Sequence, residues 1–488
     1  MMESDDIKEG RSGRAKLLAG RVLSIIQLVI TVIFVVVVIR FAVLPAKYLA
    51  IIVVVLALLW LLCAFLMNKP EKKIRYILGA VLSVILSVVL AIGSVYLSKI
   101  NNVLDNITGS AYELTVIGVY VLDEDPAETL EDAADYDFGI LSQIGRDDTD
   151  NAVETINEEL GLSITQIEYE SMSDIADALY AGEAQAIILG DAYVDIITET
   201  DGYDTFEDDI RLIYSTSWET ELEETDADDD VFTVLISGID VSGSISTKSR
   251  SDVNILAIVN RNTHQVQLIS TPRDYYVALS ISNGVKDKLT HSGIYGIECT
   301  MDTLGILYDI DVDYYFRINF TGFTELIDAM GGVTVTSEVA FTVGDYSYVV
   351  GENYLDGDAA LAFVRERKSF SDGDRQRGRN QMALITAVIS QMQSLSFLNN
   401  FNSFLSGVES SFETNMSYDL ISEMVKDQIA GGYSWNVGSY SVDGTGTYAS
   451  TYSMSQELYV MVPDEDTVEY AKELIQKVMA GEMAIDAD

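Results

Sequence analysis

VFTVLISGIDVSGSISTKSRSDVNILAIVNRNTHQVQLISTPRD, residues 231–274, holds three short apolar runs separated by polar turns. Residues 231–237 and 253–259 are almost continuously apolar, the pattern of strands covered on both faces, and 266–270 reads as a third strand. Charged residues stand at the ends of these runs. Asp240 closes the first, Arg250 and Asp252 open the second, and Arg273 and Asp274 follow the third in the turn TPRD. Strands buried on both faces need helices to cover them. The sequence downstream supplies helical patterns over 293–307, 323–330, 358–367, 380–395 and 467–478.

Upstream of this region, ETELEETDADDD at 219–230 is nearly devoid of apolar residues and reads as an acidic linker. Before it, strand patterns at 114–121, 164–169 and 186–190 alternate with helical ones at 151–160 and 171–180, the latter opening on a Ser171/Asp174 capping box. The alternation predicts a small α/β domain over 110–218. It contains no nucleophile–base pair and no phosphate loop, and its carboxylates read as a solvated face. A 231–488 fragment is therefore expected to keep its activity without it.

Charge divides the chain. Of 30 Lys/Arg and 76 Asp/Glu, residues 1–100 hold twelve and five, leaving eighteen against seventy-one for the rest. So acidic a surface repels nucleic acid, which excludes a DNA-binding role. Cys63 and Cys299 form no readable disulfide framework, and two histidines, His264 and His291, leave little room for a His-ligated zinc site.

Three apolar runs open the chain, at 22–39, 48–67 and 76–97, each close to the ~20 residues an α-helix needs to cross a bilayer. Lys8, Arg11, Arg14, Lys16 and Arg21 precede the first, and Lys69, Lys72, Lys73 and Arg75 follow the second. Positive flanks stay in the cytoplasm. The reading is a multi-pass protein of the cell membrane, with a cytoplasmic tail at 1–21, three transmembrane helices over 22–98, and everything beyond outside. A reporter fused after Ser110 is expected to be external and one at Lys72 cytoplasmic; the reverse pattern would exclude an envelope role.

Basic residues are scarce beyond the membrane segment, yet six of the sixteen after Val231 fall between 365 and 379: Arg365, Arg367, Lys368, Arg375, Arg377 and Arg379. A cluster of planar guanidinium forks suits a pyrophosphate, and carboxylates at adjacent strand ends suit a Mg²⁺ that shares substrate phosphates. In this setting VLISGID (234–240), SRSDVNILAIV (249–259), LISTPRD (268–274), DAALAFVRERK (358–368) and DRQRGRNQ (374–381) resemble, in order and spacing, the LytR–CpsA–Psr family of Gram-positive envelope proteins. The three spans and the extra α/β domain resemble its CpsA-like subgroup, associated with capsular polysaccharide export.

The resemblance implies an α/β fold in which 231–488 forms an α/β/α sandwich with a mixed central sheet. It implies a Mg²⁺-dependent phosphotransferase that moves a glycopolymer from an undecaprenyl-pyrophosphate carrier to peptidoglycan. Asp240 and Asp252 match metal-binding aspartates. Arg250, Arg273, Arg365, Arg367 and Arg377 match arginines that hold the pyrophosphate, with Gln381 beside it, and Asp374 matches an aspartate of the same pocket. Asp274 and Asp374 are candidate bases. Arg375 and Arg379 depart from the commoner pattern and are expected at the rim. The apolar face of 382–395 could line a slot for the lipid tail or pack into the core. Two other readings use the same residues: a non-catalytic binding scaffold for lipid-linked polymer, and a polyprenyl-pyrophosphate pyrophosphatase.

Overall fold

The computed structural model describes residues 2–40, 44–69, 72–108, 112–222, 230–239, 244–371, 373–394, 397, 404, 408 and 411–484. The chain divides into two compact units. One comprises residues 1–106, 398–406 and 417–433, the other 107–397, 407–416 and 434–488.

The first unit contains α1 (Met2–Arg40), α2 (Ala46–Met67) and α3 (Lys73–Thr108). Within them, Lys16–Arg40, Ala46–Met67 and Lys73–Ser98 are long and apolar enough to cross a membrane. Their side chains explain how they associate without a hydrophobic driving force between them. Ser83 Oγ donates to Gln27 Oε1 at 2.7 Å, a buried polar pair joining α3 to α1. At Gly79 a Cβ would stand 2.7 Å from the Leu66 Cβ, so α2 and α3 approach to a distance only glycine allows.

The second unit holds two sheets. β1 (Tyr112–Leu122), β2 (Asp137–Leu141), β3 (Thr165–Tyr169), β4 (Ala186–Gly190) and β5 (Ile210–Glu221) form a mixed sheet in the order β3-β2-β4-β1-β5. Helix α4 (Arg146–Leu160) contributes Ala152, Val153 and Ile156 to a core with Phe138 and Ile140. Helices α5 (Met172–Ala181) and α6 (Asp191–Thr198) pack in a second core with Ile187 and Leu189, beside the short α7 (Phe206–Asp209). Ser171 caps α5 by accepting from the Asp174 amide at 3.2 Å, as its sequence predicts.

The acidic stretch at 219–230 does not begin as a linker. Glu219, Thr220 and Glu221 are the last residues of β5, paired with Leu114, Glu113 and Tyr112; residues 223–229 lie outside the described residues. β5 is an edge strand, where exposed acidic side chains are favoured because they discourage pairing with another chain.

The larger sheet starts with β6 (Val231–Ile239), β7 (Ser251–Asn260) and β8 (Gln265–Thr271), successive antiparallel neighbours. Tyr314–Asn319 runs parallel to β6 and Asn436–Ser441 parallel to β8, and Phe412–Thr414 closes one edge. The sheet is mixed and covered on both faces. On one side Leu235, Leu256, Ile258 and Ile269 pack with α8 (Ile297–Tyr308) and the C-terminal helix Glu465–Met479. The other side carries α9 (Phe320–Ala329), α10 (Gly357–Arg365) and α11 (Asp374–Met392). The helix predicted over 293–307 is broken at Gly296, with a 3₁₀ segment, Leu289–Tyr295, before α8.

Candidate functional site

The topology gathers the charged residues of the sequence at one end of the larger sheet. β7 runs opposite to β6 and β8, with Ile239 beside Ser251 and Asn254 beside Thr271. The start of β7 and the ends of β6 and β8 therefore meet, bringing together Arg250, Asp252, Arg273 and Asp274. Asp240 lies outside the described residues. Helix α11 crosses the same end. A Cβ on Gly378 would sit 3.3 Å from Ser270 Oγ, so this glycine lets the first turns of α11 press onto β8. That contact delivers Asp374 and Arg377 to the strand ends, where ligands of open α/β sheets commonly bind.

Arg273 is the hub. Its Nη1 donates to Asp252 Oδ1 at 2.8 Å, and Thr290 Oγ1 donates to the same oxygen at 2.9 Å. Its Nε lies 4.0 Å from Asp274 Oδ1 and, although buried, has no hydrogen-bond partner among the described residues. Lys288 Nζ holds Asp274 at 3.2 Å. Arg377 pairs with Asp374 at 2.5 Å. Burial, reinforced by the nearby charges of Arg273 and Arg367, holds Arg377 below the ordinary arginine range despite Asp374 and Asp252. Arg273 and Arg377 thus gather at the strand ends with Asp252, Asp274 and Asp374 among them, in a chain of net charge −46.

Arg365 and Arg367 are exposed at and just beyond the end of α10, and the Arg365 guanidinium lies 4.0 Å over the Phe320 ring. Gln381 Nε2 donates to the Val364 carbonyl at 3.4 Å, fixing α11 beside the end of α10. Arg375 and Arg379 take the rim: Arg375 pairs with Asp443 at 2.5 Å and Arg379 with Glu338 at 3.4 Å. Met382, Leu384 and Ala387 are buried in α11, and residue 395 lies outside the described residues.

Sequence reasoning missed Lys288, Thr290 and, above all, two carboxylates from the smaller domain. Glu199, just after α6, contacts Arg250 Nη1 through Oε2, and the same oxygen lies 3.7 Å from Arg273 Nη2. Asp195 Oδ2 is 4.0 Å from Arg250 Nη2. Burial raises the Glu199 carboxyl, but Arg250, Arg273 and Lys288 outweigh it and hold it below its usual range.

A Ser–His–Asp trio is also present but does not form a nucleophile relay. Asp287 Oδ1 and Ser453 Oγ both meet the same His291 nitrogen, Nδ1, at 2.7 and 3.0 Å, and all three residues are buried. A relay needs the two contacts on opposite ring nitrogens.

The fold and site define an α/β protein with three membrane-length helices and a cluster of arginines and carboxylates at the strand ends of its larger sheet. Residues 203–472, more than half of the chain, match the LytR_cpsA_psr family, and the chain belongs to it. It is 33% identical over 247 residues to the polyisoprenyl-teichoic acid–peptidoglycan teichoic acid transferase TagU of Halalkalibacterium halodurans, covering 50% of this chain and 78% of that protein. The TagU of Bacillus subtilis is 34% identical over 219 residues, covering 45% and 70%. Among solved structures, that of B. subtilis TagV matches with 25% identity and a TM-score of 0.45, covering 52% of this chain and 99% of TagV. TagT bound to LI-WTA matches with 26% identity and a TM-score of 0.43, covering 53% and 97%.

Proposed function

We propose that the chain transfers a glycopolymer, capsular or teichoic-acid-like, from an undecaprenyl-pyrophosphate carrier to peptidoglycan on the outer side of the membrane. The observation that carries this reading is geometric: Arg250, Arg273 and Arg377, with side chains 12%, 16% and 14% exposed, are gathered at one end of the larger sheet. The named activity of the TagU relatives, a polyisoprenyl-linked donor and a peptidoglycan acceptor, supports it.

Phosphoryl transfer needs positioning and charge neutralisation more than a protein nucleophile. Arg250, Arg273, Arg365, Arg367 and Arg377 hold the pyrophosphate oxygens, with Gln381 beside them. The acceptor hydroxyl oxygen bonds to the sugar-linked phosphorus while the bond from that phosphorus to the bridging oxygen breaks. Polyprenyl phosphate leaves with the electron pair. Asp274, held by Lys288, and Asp374, held by Arg377, are the two candidate bases for the hydroxyl proton.

Among the described residues no group of three or more His, Cys, Asp or Glu could hold a metal. The donor chemistry still fits Mg²⁺, which commonly takes one or two carboxylates and fills its shell with substrate phosphates and water. Asp240 and Asp252 would hold it, and it would neutralise charge on the phosphate oxygens.

The full chain in detergent micelles, given lipid-linked glycan, Mg²⁺ and peptidoglycan, is expected to yield a phosphodiester-linked product. Polymer released to water instead would identify a pyrophosphatase, and binding without turnover a scaffold. Asp240→Asn and Asp252→Asn remove one anionic ligand each and keep the shape. Both are expected to raise the Mg²⁺ concentration needed for half-maximal turnover with little change in melting temperature. Unaltered metal dependence in both would mean that these carboxylates only orient the arginines.

A further inference from the structure

The contact of Glu199 with Arg250 and Arg273 is unexpected by every local rule. Glu199 is the C-cap of α6, the end where the helix dipole disfavours negative charge. Nothing in its own domain calls for a carboxylate there, and a local rule broken without local compensation commonly marks a functional position. What holds it is the arginine pair of the other domain. The two guanidinium groups are well enclosed, with side chains 12% and 16% exposed, whereas Glu199 is 54% exposed. The carboxylate is therefore far more open to solvent than the two guanidinium groups it touches. Asp195 stands next to it, 4.0 Å from Arg250 and 47% exposed.

We propose that Glu199 is a substrate-displaced counter-ion: the smaller domain lends its carboxylate to the Arg250–Arg273 pair in the free protein, and an incoming pyrophosphate evicts it. A carboxylate and a phosphate present the same anionic oxygens to a guanidinium fork, so the two compete for the same donors. The smaller domain thereby sets the threshold for occupancy of the site. An anion must outbid a tethered carboxylate, which favours a multiply charged pyrophosphate over singly charged anions. This inference rests on the reading of the cleft as a pyrophosphate site.

The experiment is titration calorimetry of the full chain in micelles with two probes, inorganic pyrophosphate and geranylgeranyl pyrophosphate. Glu199→Gln keeps the shape and removes the competing charge, and it is expected to bind both probes more tightly, by on the order of 10-fold. Glu199→Ala should do the same, and Asp195→Asn should show a smaller gain because its contact is longer. Melting temperatures report on folding, and a variant bound more tightly at unchanged or lower stability is not explained by a structural role. If the wild-type chain binds both probes, loses them in Arg273→Ala, and Glu199→Gln binds equally or more weakly, the counter-ion role is overturned and the pyrophosphate site stands. If neither wild type nor Glu199→Gln binds either probe, both fail.

Discussion

Arg273→Ala is expected to weaken binding of a polyprenyl pyrophosphate by roughly 10- to 150-fold, and Arg273→Lys to be impaired as well. A charge-assisted bidentate contact in a partly dry cleft contributes on the order of 1.5–3 kcal/mol, and each 1.4 kcal/mol is about tenfold. Lysine keeps the charge but loses the planar fork, so the substitution is not conservative at such a site. The alternative is that these arginines only pair with the abundant carboxylates of an acidic surface. Exposed ion pairs are worth about 0–1 kcal/mol and are screened by salt, so their removal would barely register. The structure grades the effect. Arg273 is enclosed, anchored on Asp252 and left with a buried Nε that has no hydrogen-bond partner among the described residues, and it should show the largest loss. Arg377, also enclosed, should follow closely. Arg365 and Arg367 are exposed and should lose less individually. Binding and turnover of the alanine and lysine variants, with melting temperatures alongside, decide the matter. Near-normal function in well-folded alanine variants of Arg273 and Arg377 would remove the clamp and most of the case for an enzyme.

The parts of this site that were legible in the sequence are those built by local patterning. β6, β7 and β8 are short apolar runs with charges at their ends, and antiparallel pairing of neighbours in sequence brings those ends together. Helix α11 was legible only from residue 380, because its first turns, DRQRGR, carry no apolar stripe. They are held instead by polar bonds: Gln376 Nε2 donates to Asn380 Oδ1 at 3.0 Å, and Asn380 Nδ2 to the Phe363 carbonyl at 3.1 Å. Period-based reading has no signal for such a packing. The strand Tyr314–Asn319 was missed for a related reason, since it buries Arg317 at a position where an apolar residue would have announced it. Glu199 was missed because a carboxylate in an acidic chain looks like a solvated face until a partner from another domain is seen beside it.

Arg317 also decides whether the 231–488 region can stand alone, and the structure counts against that expectation. Its Nη1 donates to Glu113 Oε1 of β1 and its Nη2 to Glu413 Oε2, both at 2.9 Å, with all three side chains buried or nearly so. Glu113 Oε1 further accepts from the Ile297 amide at 2.7 Å, and Glu413 Oε1 from the Tyr315 hydroxyl at 2.8 Å. The core joins the domains too, since Ile294, Met454 and Leu458 belong to the same buried cluster as α5 and α6. Removing residues 112–218 would leave a buried arginine with one carboxylate and an amide with no acceptor. Breaking a buried ion pair from one side costs about 3–5 kcal/mol, a large share of a typical domain's stability of ~5–15 kcal/mol. Arg317→Met alone, which strands two carboxylates, and Glu113→Ala alone should each show that loss. Urea unfolding in micelles, followed through Trp218 and Trp435, measures it. Burial raises the Glu113 carboxyl even with Arg317 beside it, so the pairing does not fully offset the desolvation of that group. Arg317→Met combined with Glu113→Gln and Glu413→Gln removes all three charges and keeps the acceptors for Ile297 and Tyr315. That triple variant is expected to recover most of the stability lost by Arg317→Met, because a neutral trio leaves no stranded charge. A single Arg317→Met variant as stable as wild type would show that the triad does not bind the two domains together, leaving the shared core as what joins them.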